Sequence, residues 1–139
     1  MDADALIERL GLARHPEGGW YAETWRAPAG RGRPASTGIY FLLRAGERSH
    51  WHTVDADEIW LFHAGEPLRL STSPDDHTAP EHRVLGVDLA AGQSPQLVVP
   101  EGFWQAAEPV GEWSLVSCVV APGFTFDGFE LAEPGWSPG

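Results

Sequence analysis

The chain has 139 residues and a formal net charge of −11, with nine arginines and no lysine. The charge argues against nucleic-acid binding, which needs clustered cations, and the absence of lysine excludes Schiff-base catalysis and a P-loop lysine. This length suits one domain, 1–139. Because it has no apolar run of membrane-spanning length and no basic-then-apolar leader, we expect a cytoplasmic protein that does not bind membranes.

One short helix is predicted at 4–11, because apolar residues recur there at helical spacing, Asp2 or Asp4 can cap its start and Gly11 can end it. From residue 19 onward, short β-rich runs alternate with turns, and 16 glycines and 12 prolines leave little room for longer helices. The predicted strands are 20–25, 37–44, 49–53, 58–63, 68–72, 83–87, 96–99, 104–107, 113–120 and 126–131, with a loop rich in glycine, proline and arginine at 27–35. This spacing predicts an all-β sandwich or barrel over about 19–131.

The most informative motif is His-x-His at residues 50 and 52, followed by Glu58. Side chains of a regular β-strand alternate between its faces, so His50 and His52 are predicted to project from the same face. Glu58 shares its predicted face with Trp60 and Phe62, which indicates an interior wall. Two imidazoles and a carboxylate provide three ligands for a transition metal. The alternative is a set of surface polar residues around a β-turn.

Further candidates come from a second segment and from single aromatic residues. Residues 100–102, Pro-Glu-Gly, predict a tight turn after which the chain re-enters the barrel towards Gln105. Trp60 and Phe103 either line a cavity or fill the core. Tyr40 is one of two tyrosines, so it is a candidate if the chemistry needs a phenol.

Two other side chains have an ordinary structural explanation. His15, within His-Pro-Glu-Gly-Gly, can reach a pocket rim, although a role in a turn explains the segment equally well. Cys118 is the only cysteine and lies in the apolar run 115–120, so we expect a buried, unreactive thiol.

These segments resemble the two sequence motifs of the cupin superfamily. The first motif is glycine, His-x-His, a spacer, glutamate, six residues and glycine, and the second is glycine, a spacer, Pro-x-Gly, two residues and histidine. The matching residues here are Gly46, His50, His52, Glu58 and Gly65, then Gly92, Pro100, Gly102 and Gln105. The chain is most similar to a branch of small single-domain cupins whose function is unknown. That likeness extends from about Leu6 to Leu131 and includes 15–19, 57–60, 64–68, 99–102 and 113–124.

The resemblance implies a double-stranded β-helix, the cupin jelly-roll barrel, with a ligand pocket inside one open end. It also implies that His50, His52 and Glu58 occupy metal-ligand positions for a divalent ion such as Fe, Mn, Ni or Zn. Gln105 stands where the second motif has histidine. Its amide oxygen can still bind a metal, more weakly than imidazole does, and the alternative is a barrel that has lost its metal.

Three functions remain open at this stage. The first is a metal-assisted enzyme acting on a small polar metabolite, with His50, His52 and Glu58 as catalytic residues and Gln105 as a weak fourth ligand. The second is a metal-free isomerase or epimerase in which a histidine removes a proton next to a carbonyl. The third is a small-molecule-binding protein without turnover. Gln105, Tyr40, Trp60 and Phe103 are the predicted ligand-binding residues, and a homodimer is expected because sheet edges need cover.

Overall fold

A computed structural model describes residues 1–29 and 32–139. Within these ranges the chain forms one α-helix, eleven β-strands and two short 3₁₀ helices. Their bounds are α1 Ala3–Leu10, β1 Ala13–Arg14, β2 Trp20–Arg26, β3 Thr37–Arg44, β4 Ser49–Val54, β5 Asp57–Gly65, β6 Leu68–Ser73, β7 Glu81–Leu85, β8 Gln96–Val99, β9 Trp104–Pro109, β10 Trp113–Ala121 and β11 Phe129–Leu131, with 3₁₀ helices at Leu89–Ala91 and Phe126–Gly128.

Two antiparallel sheets enclose the main core. One sheet has the order β1-β2-β3-β10-β5-β8 and the other the order β11-β4-β9-β6-β7. Inward side chains of both sheets form one buried cluster, which includes Phe41 and Trp60 from the first sheet and Leu68 and Leu70 from the second. The non-sequential strand order and the shared core confirm the predicted all-β jelly roll.

Helix α1 covers part of the outer surface of the six-stranded sheet. Asp2 caps its start by accepting the N–H of Ala5, and Gly11 ends it at a φ of 65°. Its apolar side packs against a second cluster that contains Leu42 and Leu115. The predicted helix and its caps are therefore confirmed to within one residue.

The strand predictions differ from the structure in a few places. The predicted strand at 126–131 divides into a 3₁₀ helix and the short strand β11, and β1 has no counterpart among the predicted strands. The loop predicted at 27–35 includes residues 30 and 31, which lie outside the described residues. In the described parts of the chain, no helix has the length and apolar character needed to cross a membrane.

Candidate functional site

A cavity of about 470 Å³ lies between the two sheets, beside the main core. Its wall combines apolar side chains with carboxyl, imidazole and thiol groups. The lining residues are His15, Glu17, Tyr21, Glu23, Arg26, Thr37, Ile39, His52, Val54, Glu58, Cys118, Val120, Phe124, Thr125 and Phe126. A mainly apolar cavity with a few converging polar groups is typical of a small-molecule site.

A bulge in β4 decides which histidine of the His-x-His motif reaches the cavity. The register between β4 and β9 shifts between Ser49 and His52, so His50 and Trp51 both lie opposite the single residue Ala106. The extra residue interrupts the alternation of side chains. His52 lines the cavity, and His50 is not part of its wall. The prediction that both imidazoles project from one face is therefore wrong.

The two bulge residues of β4 contact the C-terminal segment instead. The Nε2 atom of His50 donates to the carbonyl oxygen of Glu133 at 2.8 Å. Trp51 is buried in a cluster with Trp104 and Trp136, whose ring centroids are 4.4 Å apart. His50 and Trp51 thus hold the chain end against the second sheet.

The turn before β2 brings His15 and Glu17 to the cavity. Gly18 and Gly19 adopt φ values of 108° and 79°, which a residue with a side chain rarely adopts. A Cβ atom on Gly18 would collide with the carbonyl oxygen of Arg48, because the turn lies directly against the chain that enters β4. The glycine pair therefore allows Glu17 to lie beside His52.

The hydrogen bonds around Glu17 fix the protonation of its neighbours. The Nδ1 atom of His52 lies 2.7 Å from the carbonyl oxygen of His50, so Nδ1 carries a hydrogen and Nε2 of the neutral ring is an acceptor. The Nδ1 atom of His15 accepts the N–H of Glu17 at 3.1 Å. These two acceptor nitrogens lie 3.4 and 3.2 Å from the Glu17 carboxyl oxygens. A protonated Glu17 carboxyl can donate its one hydrogen to Nε2 of His52, whereas a carboxylate would face that lone pair with no hydrogen between them.

Burial shifts the titration of all four groups in the same direction, towards the neutral form. It raises the pKa of Glu17 to about 8, against the opposing hydrogen bond from Ser49. It raises the pKa of Glu58 to about 7, against the opposing charge of His52. It lowers the pKa of His15 to about 4, and it also lowers the pKa of His52. At neutral pH the cavity therefore holds an un-ionised carboxyl beside neutral imidazoles.

Behind Glu58 lies a buried hydrogen-bonded chain. The amide nitrogen of Gln105 donates to Oε1 of Glu58 at 3.0 Å, and its amide oxygen accepts the indole N–H of Trp60 at 2.8 Å. Burial raises the pKa of the Cys118 thiol, which lines the cavity, well above its usual value. The thiol stays neutral, as expected from its apolar surroundings.

A known sequence family matches nearly the whole chain. Residues 4–132 match the family described as Cupin superfamily (DUF985). The chain belongs to the cupin superfamily. This cupin is 43% identical to protein SO0799 of Shewanella oneidensis, with a TM-score of 0.90 over 96% of this chain and 85% of that one.

Two other proteins are similar to this cupin to a smaller extent. This cupin is 30% identical to the uncharacterized protein YML079W of Saccharomyces cerevisiae, over 88% of this chain and 71% of the yeast protein. An oxalate decarboxylase from Bacillus subtilis is 14% identical, with a TM-score of 0.64 over 85% of this chain and 29% of that enzyme. The last likeness concerns the fold alone.

The four predicted metal ligands of this cupin do not converge. His50 is bonded to Glu133, and Gln105 already uses its amide oxygen for Trp60. Only His52 and Glu58 of the four line the cavity. Across residues 1–29 and 32–139, no three side chains of His, Cys, Asp or Glu are grouped so that they could hold a metal ion. The predicted ligand set therefore does not fit a metal centre.

The predicted ligand-binding residues lie outside the cavity wall. Gln105 and Trp60 are buried behind Glu58, and Phe103 packs against the main core. Tyr40 faces the other side of β3, where it packs with the cluster under α1. Neighbouring residues of a strand face opposite sides, and Ile39 faces the cavity. Tyr40 therefore faces away from it, and its predicted role in ligand binding is not supported.

Glu17 is the main cavity residue that no sequence pattern predicts. Residues 15–19 predict a turn with a histidine at the pocket rim, and the structure places both His15 and Glu17 in the wall. The available signal was the glycine pair that follows Glu17, since adjacent glycines mark close backbone approach. That signal does not reveal which strand the turn approaches.

Proposed function

We propose that this cupin is an enzyme of the isomerase type, which moves a proton between carbon and oxygen of a small carbonyl metabolite. The observation that carries the proposal is the position of the Glu17 carboxyl between Nε2 of His52 and Nδ1 of His15, at 3.4 and 3.2 Å. A buried un-ionised acid beside a neutral base supplies both partners of acid–base catalysis at neutral pH. The cavity volume of about 470 Å³ suits a small metabolite.

The proposed reaction needs three proton transfers and no electron transfer. His52 removes a proton from the carbon next to the substrate carbonyl, while Glu17 gives its proton to the carbonyl oxygen, so the C–H bond breaks and an O–H bond forms. The imidazolium of His52 then returns its proton to the Glu17 carboxylate across the 3.4 Å contact. The product is the enol isomer, and both side chains regain their starting protonation.

Glu58 supports the same chemistry as a second buried carboxyl of the cavity wall. Burial raises its pKa to about 7, against the opposing hydrogen bond from Gln105, so Glu58 is partly un-ionised at neutral pH, which limits the charge near the base. An imidazole without a strong anionic neighbour stays neutral and able to accept a proton. Glu58 is therefore a positioning residue in this proposal.

A metal-assisted enzyme with Fe, Mn, Ni or Zn, the first function considered from the sequence, has weaker support. Its ligand set includes His50 and, as a weak fourth ligand, Gln105, but Nε2 of His50 and the amide oxygen of Gln105 are bonded elsewhere. Elemental analysis of the purified protein tests it directly. A stoichiometric transition metal that is lost on His52→Gln substitution would favour the metal-assisted enzyme over the proposal made here.

The main experiment measures deuterium uptake by proton NMR in D₂O. The purified protein is incubated with a panel of keto acids, keto sugars and hydroxy aldehydes, and exchange next to the carbonyl is followed. The wild type should exchange at least one class, and Glu17→Gln should lower the rate by about 100-fold, since general acid–base groups contribute about 10²–10⁴. Glu130→Gln on the exposed face of β11 is the matched control and should exchange normally.

The outcomes separate the three functions. Stabilisation of the protein by a panel member in a thermal-shift assay, without exchange, would indicate a binding protein and contradict the proposal. Equal exchange by the wild type and Glu17→Gln would show that Glu17 is not the acid.

The homodimer predicted from the sequence stays a prediction, which sedimentation analysis can test.

A further inference from the structure

A second bulge, in β2, places two charged residues at the edge of the cavity. Between β2 and β3, Glu23 lies opposite Ile39 and Arg26 lies opposite Thr37, so three steps along β2 match two along β3. In a regular strand, residues three apart face opposite sides. The extra residue, Thr24, puts Glu23 and Arg26 on the same side. All four paired residues accordingly line the cavity.

Arg26 holds Glu23 in a geometry that a ligand can reproduce. Its Nε and Nη2 atoms donate to the two Glu23 oxygens, each at 2.9 Å. The two side chains are 46% and 40% exposed, so they mark the open end of the cavity. Because an exposed ion pair contributes little to stability, another carboxylate can replace Glu23 at little cost.

The other cavity walls define the rest of the ligand. Among the described lining residues, Arg26 is the only one with a permanent positive charge. Three aromatic rings, those of Tyr21, Phe124 and Phe126, lie in the same wall, whereas Glu17 is almost fully buried. A ligand that spans the cavity thus meets a guanidinium at the mouth, apolar rings along its body and polar groups at the buried end.

We propose that Arg26 binds the carboxylate of the substrate in place of the Glu23 side chain, so that the substrate is a small keto acid with an apolar body. The substrate class rests on the proposed isomerase function, because that function puts the carbonyl group at the buried end. The carboxylate contact rests separately on the bidentate fork of Arg26. Glu23 then regulates affinity, because it competes with the substrate for the same donors.

Calorimetric titration with 6-oxoheptanoate, a keto acid whose carbonyl group is separated from its carboxylate by an apolar chain, and with its methyl ester tests the contact. The wild type should bind the acid at least about tenfold more tightly than the neutral ester, and Arg26→Gln should remove this preference. Glu23→Gln should strengthen acid binding several-fold, because it frees the guanidinium. If the Arg26–Glu23 pair only supported the strand, Glu23→Gln would weaken acid binding or leave it unchanged.

Arg14→Gln is the matched control, since Arg14 lies on the neighbouring strand β1 and pairs with Glu47 away from the cavity. It should leave the preference for the acid intact. Equal affinity of the wild type for acid and ester, absence of binding included, overturns the proposal, as does weaker acid binding by Glu23→Gln.

The deuterium-exchange assay separates this result from the proposed function. Arg26-dependent acid binding without exchange would retain the carboxylate site and refute the isomerase. Exchange of neutral carbonyl compounds as fast as keto acids would support the isomerase and refute the carboxylate site.

Discussion

Strands β2 and β4 each contain a bulge, and the two bulges have opposite effects on the cavity. The β2 bulge keeps Glu23 and Arg26 on the inner side, where regular alternation would turn one of them outward. The β4 bulge separates His50 from His52, which regular alternation would keep together. A bulge thus adds a cation to the cavity mouth in β2, whereas a bulge in β4 removes an imidazole from the cavity interior. A pattern of residues assigns chemistry to a strand face only when the strand is regular.

The sharpest test of this comparison substitutes the two histidines of β4 in the same way. His52→Gln should lower the rate of deuterium exchange by about 10²–10⁴-fold, because it removes the proposed base. His50→Gln should leave the rate within a few-fold, since the backbone carbonyl that orients His52 remains. Rates come from the same NMR assay, with circular dichroism to check folding. Comparable losses in both variants would mean that His50 does act in the cavity.

Substitution of Trp51 tests the outward side of the β4 bulge through its effect on the free energy of unfolding. It is only 5% exposed and packs in the cluster with Trp104 and Trp136. Trp51→Ala should lower the free energy of unfolding by about 3–5 kcal/mol, measured by urea denaturation. Trp25→Ala removes the same ring beside the β2 bulge, where it is 52% exposed, and should cost less than about 1 kcal/mol. Equal costs would contradict the assignment of Trp51 to a packed outer face.

The two buried carboxyls of the cavity predict a dependence of stability on pH. Glu17 and Glu58 titrate at about 8 and 7 in the folded chain, above their ordinary value of 4.5, so the folded state holds protons that the unfolded state releases. Unfolded histidines are half protonated at pH 6.5 and partly offset this effect there, and the carboxyls dominate the slope above about pH 7.5. Stability should fall as pH rises from 6.5 to 8, by on the order of 1 kcal/mol per pH unit.

The matched variant for this pH dependence is Glu17→Gln, which cannot release a proton. Its free energy of unfolding should fall less steeply over the same pH range. An identical slope in the variant and the wild type would show that Glu17 is ionised in the folded chain. That result would also remove the proposed acid.

The sequence predicted the fold well because its signals are local. Helix caps, turn glycines and β-rich runs each depend on a few neighbouring residues, and the structure confirms them. The position of Glu58 was predicted from a local signal too, because it shares its strand face with Trp60, and Glu58 lines the cavity together with His52. Glu17 depended on a turn that approaches β4 from a distant part of the chain, and no local pattern records that approach. The position of His50 depended on a bulge, which leaves no residue signature of its own.

The smallest expected effect concerns the bond between His50 and the C-terminal segment. Its Nε2 atom donates to the Glu133 carbonyl at 2.8 Å, and the contact is partly exposed, so His50→Gln should lower the free energy of unfolding by about 1 kcal/mol or less. Amide hydrogen exchange gives a sharper measurement, because faster exchange should be confined to residues 129–138 and their neighbours on β4. If protection is lost around Glu17 instead, the imidazole of His50 supports the cavity, and the two bulges do not differ in the way proposed here.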